Sequence, residues 1–287
     1  KGIFWPWSAG DRDEDWYESK YRTMPSWQLH QEYPRTPEEA FIKSGNPVFY
    51  IDRLMEYEVA EPDRGYLHVI SRKNPEYRET PDGEFAIWEY PHPEGTYVIG
   101  ADVAEGLGHG DYSSAHIIEA RSMKVVAHWH GHIEPDLFGD ALAEVGWWYN
   151  DALLGVENNN HGLTTIKALQ RYGYKNLYRH PEATEIMGWR TTTASKPLAI
   201  DELAGSIRDE DIFIFDERTI AELKTYVRDP NGKMHGSPHD DRVMSLAIAH
   251  QMLKFVWLPE YRAEVPPPKY SLSWFERFVI HGDDGLK

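Results

Sequence analysis

The 287-residue sequence contains no cysteine. It can therefore form neither disulfides nor thiolate metal sites, and any bound ion must be held by histidine, aspartate or glutamate. Such ligands favour hard cations that prefer oxygen. The sequence also lacks an apolar run near the roughly 18 residues needed to cross a bilayer, and it has no secretory signal pattern. We therefore expect a soluble, intracellular protein.

Positive charge is scarce. The sequence has 30 Lys and Arg residues against 47 Asp and Glu residues, which gives a net charge of −17. Proteins that coat nucleic acid are usually basic, so this charge taken alone argues against DNA binding. A site that gathers carboxylates to hold divalent ions would also be acidic, however, and its ions could bridge the protein to phosphate. A solvated acidic surface is the alternative explanation.

The composition and the hydrophobic pattern of the sequence change near residue 95. Residues 1 to 94 are rich in aromatic residues, Pro and charge, with short pieces between breakers, and they predict an extended arm or linker. Residues 95 to 256 predict three consecutive strands followed by alternating helices and short strands, which is typical of an α/β domain with a mixed sheet flanked by helices. Residues 257 to 287 predict a C-terminal tail. Within the domain, TYVRDPNGKMHG predicts a β-hairpin insertion, because its Asn-Gly pair suits a tight turn.

Two of the predicted strands end in an acidic residue. Asp102 closes TYVIGAD, and Glu157 closes ALLGVE. Side chains alternate along a strand, so each acid points to the same side as apolar residues of its own strand. An ionised carboxylate in such a place is costly unless a cation, a proton or hydrogen bonds compensate it. Capping of the strand end by Asp102 is the alternative.

A third acidic element is the pair Asp240-Asp241, at the start of an apolar helix in SPHDDRVMSLAIAHQML. Helix N-termini attract acids, so capping is again the alternative. If the strands that carry Asp102 and Glu157 are neighbours and this helix packs across them, three or four carboxylates meet in one cleft. Two divalent ions about 4 Å apart would neutralise such a cluster and could support in-line phosphoryl displacement.

The ordered motifs VIGADVAEG with DYSSAHII, LLGVENNNHG and HDDRVMSLAIAH resemble the nuclease domain of the large terminase subunit of tailed bacteriophages. That domain has an RNase H-like fold related to RuvC-type resolvases. The segment EYPRTPEEAF resembles the family's link between its ATPase and nuclease halves. Because no G-x-x-x-x-G-K-[ST] loop is present, we expect the ATPase half to be missing from this chain. The sequence begins at Lys1, so we expect a piece of a longer polypeptide.

The resemblance implies a metal-dependent endonuclease that cuts concatemeric double-stranded DNA with little sequence preference, using two Mg²⁺ or Mn²⁺ ions. It implies that Asp102, Glu157 and an Asp of the 240 to 241 pair are the catalytic metal ligands. Adjacent helical residues point about 100° apart, so the two acids should not be equivalent ligands. The match of MSLAIA to the related resolvase helix places the acid three residues before Met244, and we therefore favour Asp241 as the direct ligand, with Asp240 holding an outer-shell water. Met244 stands where related resolvases carry a further acid.

The implied partners are double-stranded DNA, the ATPase half of the same polypeptide, the portal and the small terminase subunit, in the cytoplasm of the bacterial host and without a membrane. Candidates for supporting or DNA-binding roles are Lys196, Asn160, His161, His239, Asp111, Arg228 and Lys233. The lysine at 196 could orient water or the scissile phosphate, and the two basic hairpin residues could contact phosphates. The alternatives are a plain surface lysine, helix-capping residues and solvated loop residues.

Two other functions stay open at the level of the sequence. The first is another RNase H-like enzyme, such as a Holliday-junction resolvase or a nuclease that cuts RNA strands. The second is a non-enzymatic docking module for a packaging motor or portal, whose acids only solvate the surface.

Overall fold

A seven-stranded sheet lies at the centre of the computed structural model. The structure describes residues 6–10, 12–24, 28–29, 32–35, 46–71, 74–106, 110–181, 183–229, 231–236 and 239–258. Apart from residues 257 and 258, these belong to one compact unit that ends at Val256. The predicted tail at 257 to 287 lies almost entirely outside the described residues, as does most of the EYPRTPEEAF segment.

The described strands are β1 (Asn46–Pro47), β2 (Asp63–Ser71), β3 (Asn74–Glu79), β4 (Phe85–Ile87), β5 (Tyr97–Asp102), β6 (Ser113–Glu119), β7 (Lys124–Gly131), β8 (Leu153–Val156), β9 (Arg179–His180), β10 (Ala183–Met187), β11 (Val227–Arg228) and β12 (Met234–His235). The described α-helices are α1 (Glu14–Tyr21), α2 (Ile51–Glu56), α3 (Pro135–Trp148), α4 (Asn160–Tyr172), α5 (Ser195–Arg208), α6 (Glu217–Lys224) and α7 (Asp241–Met252). Two short 3-10 helices are Trp7–Gly10 and Leu253–Phe255.

The central sheet is mixed. Its spatial order is β3-β2-β4-β7-β6-β5-β8, and every neighbouring pair is antiparallel except β5 and β8, which are parallel. The predicted meander of three strands corresponds to β5, β6 and β7. The crossover from β7 to β8 through α3 allows the last strand to run parallel to β5.

Helices cover both faces of the sheet. In β5, Val98 belongs to a buried cluster that includes residues of α5, α6 and α7, whereas its neighbour Ile99 belongs to a second cluster with residues of α3 and α4. Both side chains are fully buried. Burial of a large apolar side chain stabilises the folded state by about 1.5–3 kcal/mol, so each face contributes a core of its own. The predicted fold class, an α/β mixed sheet flanked by helices, is confirmed.

All 12 residues of α7 are buried, as its apolar sequence predicts. The predicted hairpin is also present: β11 and β12 pair antiparallel, and Gly232 at the turn has φ +83°, a conformation that glycine adopts without strain. β1 adds a third strand to this hairpin. Among the helices that the structure describes, none combines the length and the apolar character required to span a membrane.

The structure differs from the prediction before residue 95. We expect residues 1 to 94 to form an arm, but β2, β3 and β4 belong to the central sheet. The Gly and Pro residues that suggest breakers are tolerated there for a structural reason. Pro75 lies in β3, which is the outermost strand of the sheet, and an edge strand can lack one N–H donor without breaking a ladder.

Candidate metal centre

The acids of the two predicted strands lie at one edge of the sheet. β5 and β8 are parallel neighbours with Ala101 opposite Val156, so both strands end at the same edge. The backbone N–H of Glu157 donates to the carbonyl oxygen of Ala101 at 2.8 Å, which holds the acid beside the end of β5. Asp102 is the last residue of that strand. The carboxyl ends of parallel strands are where α/β sheets build ligand sites.

Two paired glycines bring α7 close to this edge. Gly100 in β5 lies opposite Gly155 in β8. A Cβ atom on Gly100 would lie 2.0 Å from the backbone nitrogen of Ala249, and one on Gly155 would lie 2.4 Å from the sulfur of Met252. A side chain at position 100 would therefore push the helix off the sheet, and one at position 155 would displace the Met252 side chain. The missing side chains allow α7 to lie directly on the two strands that carry the acids.

The N-terminus of α7 contributes the remaining acids. Asp240 occupies the N-cap position but makes no side-chain capping hydrogen bond. Its carboxylate instead forms an ion pair with the Lys196 ammonium at 3.0 Å. Glu222 of α6 accepts a hydrogen bond from the N–H of Val243 at 3.0 Å and so satisfies a helix donor that Asp240 does not. Capping therefore does not account for the acid at position 240.

Asp241 is held by a loop next to β6. Its Oδ2 atom accepts a hydrogen bond from the backbone N–H of Tyr112 at 3.1 Å, and the side chain is buried. Burial raises the pKa of Asp241 to about 6; the Tyr112 N–H opposes this shift, and the nearby carboxylates of Asp111 and Asp240 add to it. The carboxylate is thus held in place but is costly to ionise without a cation.

The carboxyl group of Asp102 is even more costly to ionise than that of Asp241. Burial raises its pKa well above the usual value, and the carboxylates of Glu157, Asp241 and Asp240 raise it further. Glu157 is oriented by Asn159, whose side-chain amide donates to Oε2 at 2.8 Å. Asn159 is also the N-cap of α4, because its Oδ1 accepts from the N–H of Gly162 at 2.7 Å. One side chain therefore fixes both the helix start and the acid.

These acids surround a cavity of about 430 Å³. Its lining includes the six carboxylate residues Asp102, Glu105, Asp111, Glu157, Asp240 and Asp241. Among the described residues that line it, Lys196 carries the only permanent positive charge, and that charge is paired with Asp240. Met244 also lines the cavity, at the position where the resemblance implies an acid in related resolvases.

A nitrogen ligand lies beside the oxygen ligands. Single donor atoms of Asp111, His239 and Asp241 all lie within 4.8 Å of one another, close enough to share one ion. The Nδ1 atom of His239 is 3.3 Å from Oδ1 of Asp111. A set of carboxylates with one imidazole suits Mg²⁺, Mn²⁺ and related divalent ions. The concentration of uncompensated carboxylates therefore fits a divalent metal centre.

The structure brings together most, not all, of the residues singled out in the sequence. Lys196 and His161 line the acidic cavity, and His239 lines a neighbouring one. Asn160 is the exposed first residue of α4 and lines neither cavity. The hairpin residues line neither cavity: Arg228 forms an ion pair with Asp201 at 2.6 Å, and Lys233 is exposed.

Two residues of the centre are missed by the sequence analysis. Asn159 is one of three consecutive asparagines, and only its position one residue before the helix distinguishes it as the N-cap. Tyr112 contributes its backbone N–H to Asp241, and a backbone donor leaves no signal in a sequence.

Comparison of the sequence with models of protein families and with curated proteins gave no match. Solved structures do match. The large terminase nuclease from thermophilic phage G20c with bound magnesium is 19% identical, with a TM-score of 0.55 over 73% of this chain and 98% of that chain. The same nuclease with bound cobalt is 20% identical, with a TM-score of 0.55 over 73% and 98%. The Thermus phage P74-26 large terminase nuclease domain is 19% identical, with a TM-score of 0.51 over 72% and 95%.

The chain therefore shares the fold of large terminase nuclease domains. The predicted resemblance is confirmed at the level of the fold, including the mixed sheet flanked by helices. At these identities the likeness concerns the fold, and the roles of individual residues stay predictions.

Proposed function

We propose that this chain is the nuclease domain of a viral DNA-packaging terminase, and that it cuts concatemeric double-stranded DNA by metal-dependent hydrolysis of the backbone. The observation that carries the proposal is the convergence of Asp102, Glu157 and Asp241 from β5, β8 and α7 on one acidic cavity. Similarity in fold to a terminase nuclease with bound magnesium or cobalt supports it.

The donor set divides into two overlapping groups. Asp102 and Glu157 would hold one ion, and Asp102 and Asp241 would hold the other, with Asp111 and His239 close enough to complete the second set. When bound, divalent ions such as Mg²⁺ or Mn²⁺ would supply a water of lowered pKa and would polarise the scissile phosphate. We expect products with 5′-phosphate and 3′-hydroxyl ends.

The protein's own residues would position the ligands. The Asn159 amide fixes one oxygen of Glu157, and the Tyr112 N–H fixes one oxygen of Asp241. The Lys196 ammonium neutralises Asp240 and lines the same cavity, where it could contact a phosphate oxygen. Because the backbone phosphates provide the contacts in such a site, sequence preference should be weak.

The test is cleavage of supercoiled plasmid with Mg²⁺, Mn²⁺, Ca²⁺ or EDTA. We expect nicked and linear products with Mg²⁺ or Mn²⁺ and none in EDTA. Asp102→Asn, Glu157→Gln or Asp241→Asn should each reduce the rate at least about 100-fold, because each removes a charge that holds an ion. The matched control Asp240→Asn should cost less than about tenfold. Cleavage that survives at position 102 would exclude this site, and loss at 240 with retention at 241 would reverse their roles.

The substrate separates the remaining candidates. A terminase nuclease should cut linear duplex DNA, whereas a resolvase would prefer four-way junctions and an RNA-strand nuclease would prefer RNA–DNA hybrids. A docking module would be inactive with every ion. In a terminase, the domain would act in the host cytoplasm, joined to the ATPase half and alongside the portal and the small subunit.

A further inference from the structure

A second, larger cavity of about 610 Å³ adjoins the acidic one. The two cavities share Tyr112, whose backbone N–H contacts Asp241. The ring of Tyr112 stacks on the rings of His130 and His132, with centroids 4.5 and 3.9 Å apart. His239 lines the second cavity while its Nδ1 atom lies 3.3 Å from Asp111 of the first. The second cavity, here called the arginine groove, therefore begins where the acidic cavity ends.

The arginine groove is less acidic than the protein as a whole, because three arginines balance the three carboxylate residues in its lining. It is lined by Arg64 of β2, Arg218 of α6 and Arg242 of α7. Among the residues that the structure describes, no carboxylate lies within ion-pair distance of Arg64 or Arg218. Arg242 is 7% exposed, and its guanidinium donates to Nδ1 of His128 at 3.2 Å and lies 3.8 and 3.9 Å from the carboxylates of Glu222 and Asp216, so it is fixed at the base of the groove.

Among the described residues, the only ion pair between an acid of the groove and these guanidinium groups joins Glu222 to Arg242. Glu222 already accepts the N–H of Val243 at 3.0 Å, and burial raises its pKa to about 7. Glu84 is exposed to solvent, and partial desolvation raises its pKa. Asp82, the third acid, is also exposed to solvent. The groove thus keeps two arginines available to an external anion.

A further polar atom of the groove also lacks a partner among the described residues. His132 lines the groove, and its buried Nδ1 atom has no hydrogen-bond partner among the described residues. An unsatisfied buried polar atom is costly unless a bound group completes it. Burial lowers the pKa of the neighbouring His130 to about 2, with the charge of Arg242 adding to this shift, so that ring stays neutral and offers one N–H.

We propose that the arginine groove binds a backbone phosphate of the DNA strand that is cut, next to the phosphate held at the metal centre. This inference rests on the proposed nuclease function. The ions of the metal centre would compensate the charge of the scissile phosphate only, so the carboxylates of the acidic cavity would repel the phosphates on either side of it. Arginine is the side chain best suited to hold the oxygens of those flanking phosphates. Contacts to flanking phosphates fix a strand in register without reading its sequence.

The test uses the double variant Arg64→Ala/Arg218→Ala and a labelled linear DNA duplex, with Ca²⁺ present, in fluorescence-anisotropy titrations between about 50 and 200 mM salt. We expect binding about tenfold weaker at the lowest salt. The slope of log K against log salt should fall by about 1 for each phosphate that the variant no longer binds. The charge-keeping variant Arg64→Lys/Arg218→Lys should retain most of the slope.

The matched control is Lys167→Ala/Lys175→Ala, which removes two exposed positive charges that line neither cavity. It should leave the slope nearly unchanged. The Mn²⁺-induced rise in melting temperature should be the same in all variants, because none of them touches a proposed metal ligand. Unchanged affinity and slope in the Arg64/Arg218 alanine variant, or an equal weakening in the lysine control, would overturn the inference.

The outcomes for the groove and for the nuclease are separate. If the wild type cuts DNA and the Arg64/Arg218 alanine variant binds it normally, the groove is not on the path of the strand. If binding depends on the groove but no ion supports cleavage, the nuclease proposal fails while the phosphate subsite stands.

Discussion

Replacement of Asp241 by Asn should stabilise the metal-free protein. The pKa of this buried acid is raised from 3.8 to about 6, and a shift of about 2 units corresponds to about 3 kcal/mol that the fold loses when the carboxylate ionises. The side chain is only 5% exposed, so solvent screens this cost little. Asparagine is nearly isosteric, and its oxygen can still accept the Tyr112 N–H. Its NH₂ group needs new hydrogen-bond acceptors, which offsets part of this gain. We therefore expect the free energy of unfolding to increase by a net amount of about 1–2 kcal/mol at pH 7.5.

The effect has a defined pH dependence. The folded state binds the Asp241 proton more tightly than the unfolded state does. The contribution of this group to wild-type stability is therefore fully present below about pH 4 and is lost as the pH rises through about 6. The Asn variant lacks this loss. Because the cost of its NH₂ group applies at every pH, the variant should be about 1–2 kcal/mol less stable than the wild type at about pH 4 and about 1–2 kcal/mol more stable above about pH 7.

The assay is thermal melting in EDTA across this pH range and again with saturating Mn²⁺. A gain of 1 kcal/mol should raise the melting temperature by about 2–4 °C. Mn²⁺ should stabilise the wild type by about 2.7 kcal/mol at a hundredfold excess over the dissociation constant, and the variant should lose most of that gain. The control Asp240→Asn should not be stabilised, because it breaks the ion pair with Lys196. An Asp241 variant that is less stable than the wild type in EDTA at pH 7.5, or a stability difference that does not change with pH, would refute the reasoning.

Three further predictions follow from the same geometry. Asp102→Asn should raise metal-free stability by about 1 kcal/mol and abolish cleavage; a lower melting temperature with an intact Mn²⁺ response would identify a structural strand cap instead. Asn159→Ala should cost about 1 kcal/mol by loss of the N-cap and should weaken Mn²⁺ binding in calorimetry, whereas Asn160→Ala should change neither. The double change Arg228→Glu/Lys233→Glu should weaken DNA binding without unfolding, and an unchanged gel shift would remove the hairpin from the DNA path.

The sequence predicts the acids of the centre because their signal is local. Asp102 and Glu157 each end a short apolar run, and Asp241 begins a helix too apolar to be exposed. Alternation along a strand also predicts which side each acid takes. That β5 and β8 pair directly cannot be read from either run alone. Only the assumption of an α/β sheet, supported by the resemblance, links them.

The parts that the sequence analysis misses depend on contacts between distant segments. β2 and β3 contain Gly65 and Pro75, which suggest breakers, yet the structure tolerates them on the outer strands of the sheet. The helix α6 directly follows a short apolar stretch and is not predicted, although its Glu222 satisfies an N–H of α7 from 21 positions away. The arginine groove combines residues from β2, β7, α6 and α7, so no single segment of the sequence predicts it.

A buried polar network explains how α7 presents Asp241 correctly. Apolar packing on the glycines of β5 and β8 sets the distance of the helix, but hydrophobic contact is not directional and leaves its rotation open. Ser245 lies one turn after Asp241 on the same face of the helix. Its hydroxyl contacts the Ser114 hydroxyl at 2.8 Å, and Ser114 lies directly opposite Asp102 in the sheet. Nδ1 of His116 contacts the same hydroxyl at 2.8 Å. These directional bonds fix the rotation at which the acid of the helix faces the acid of the strand.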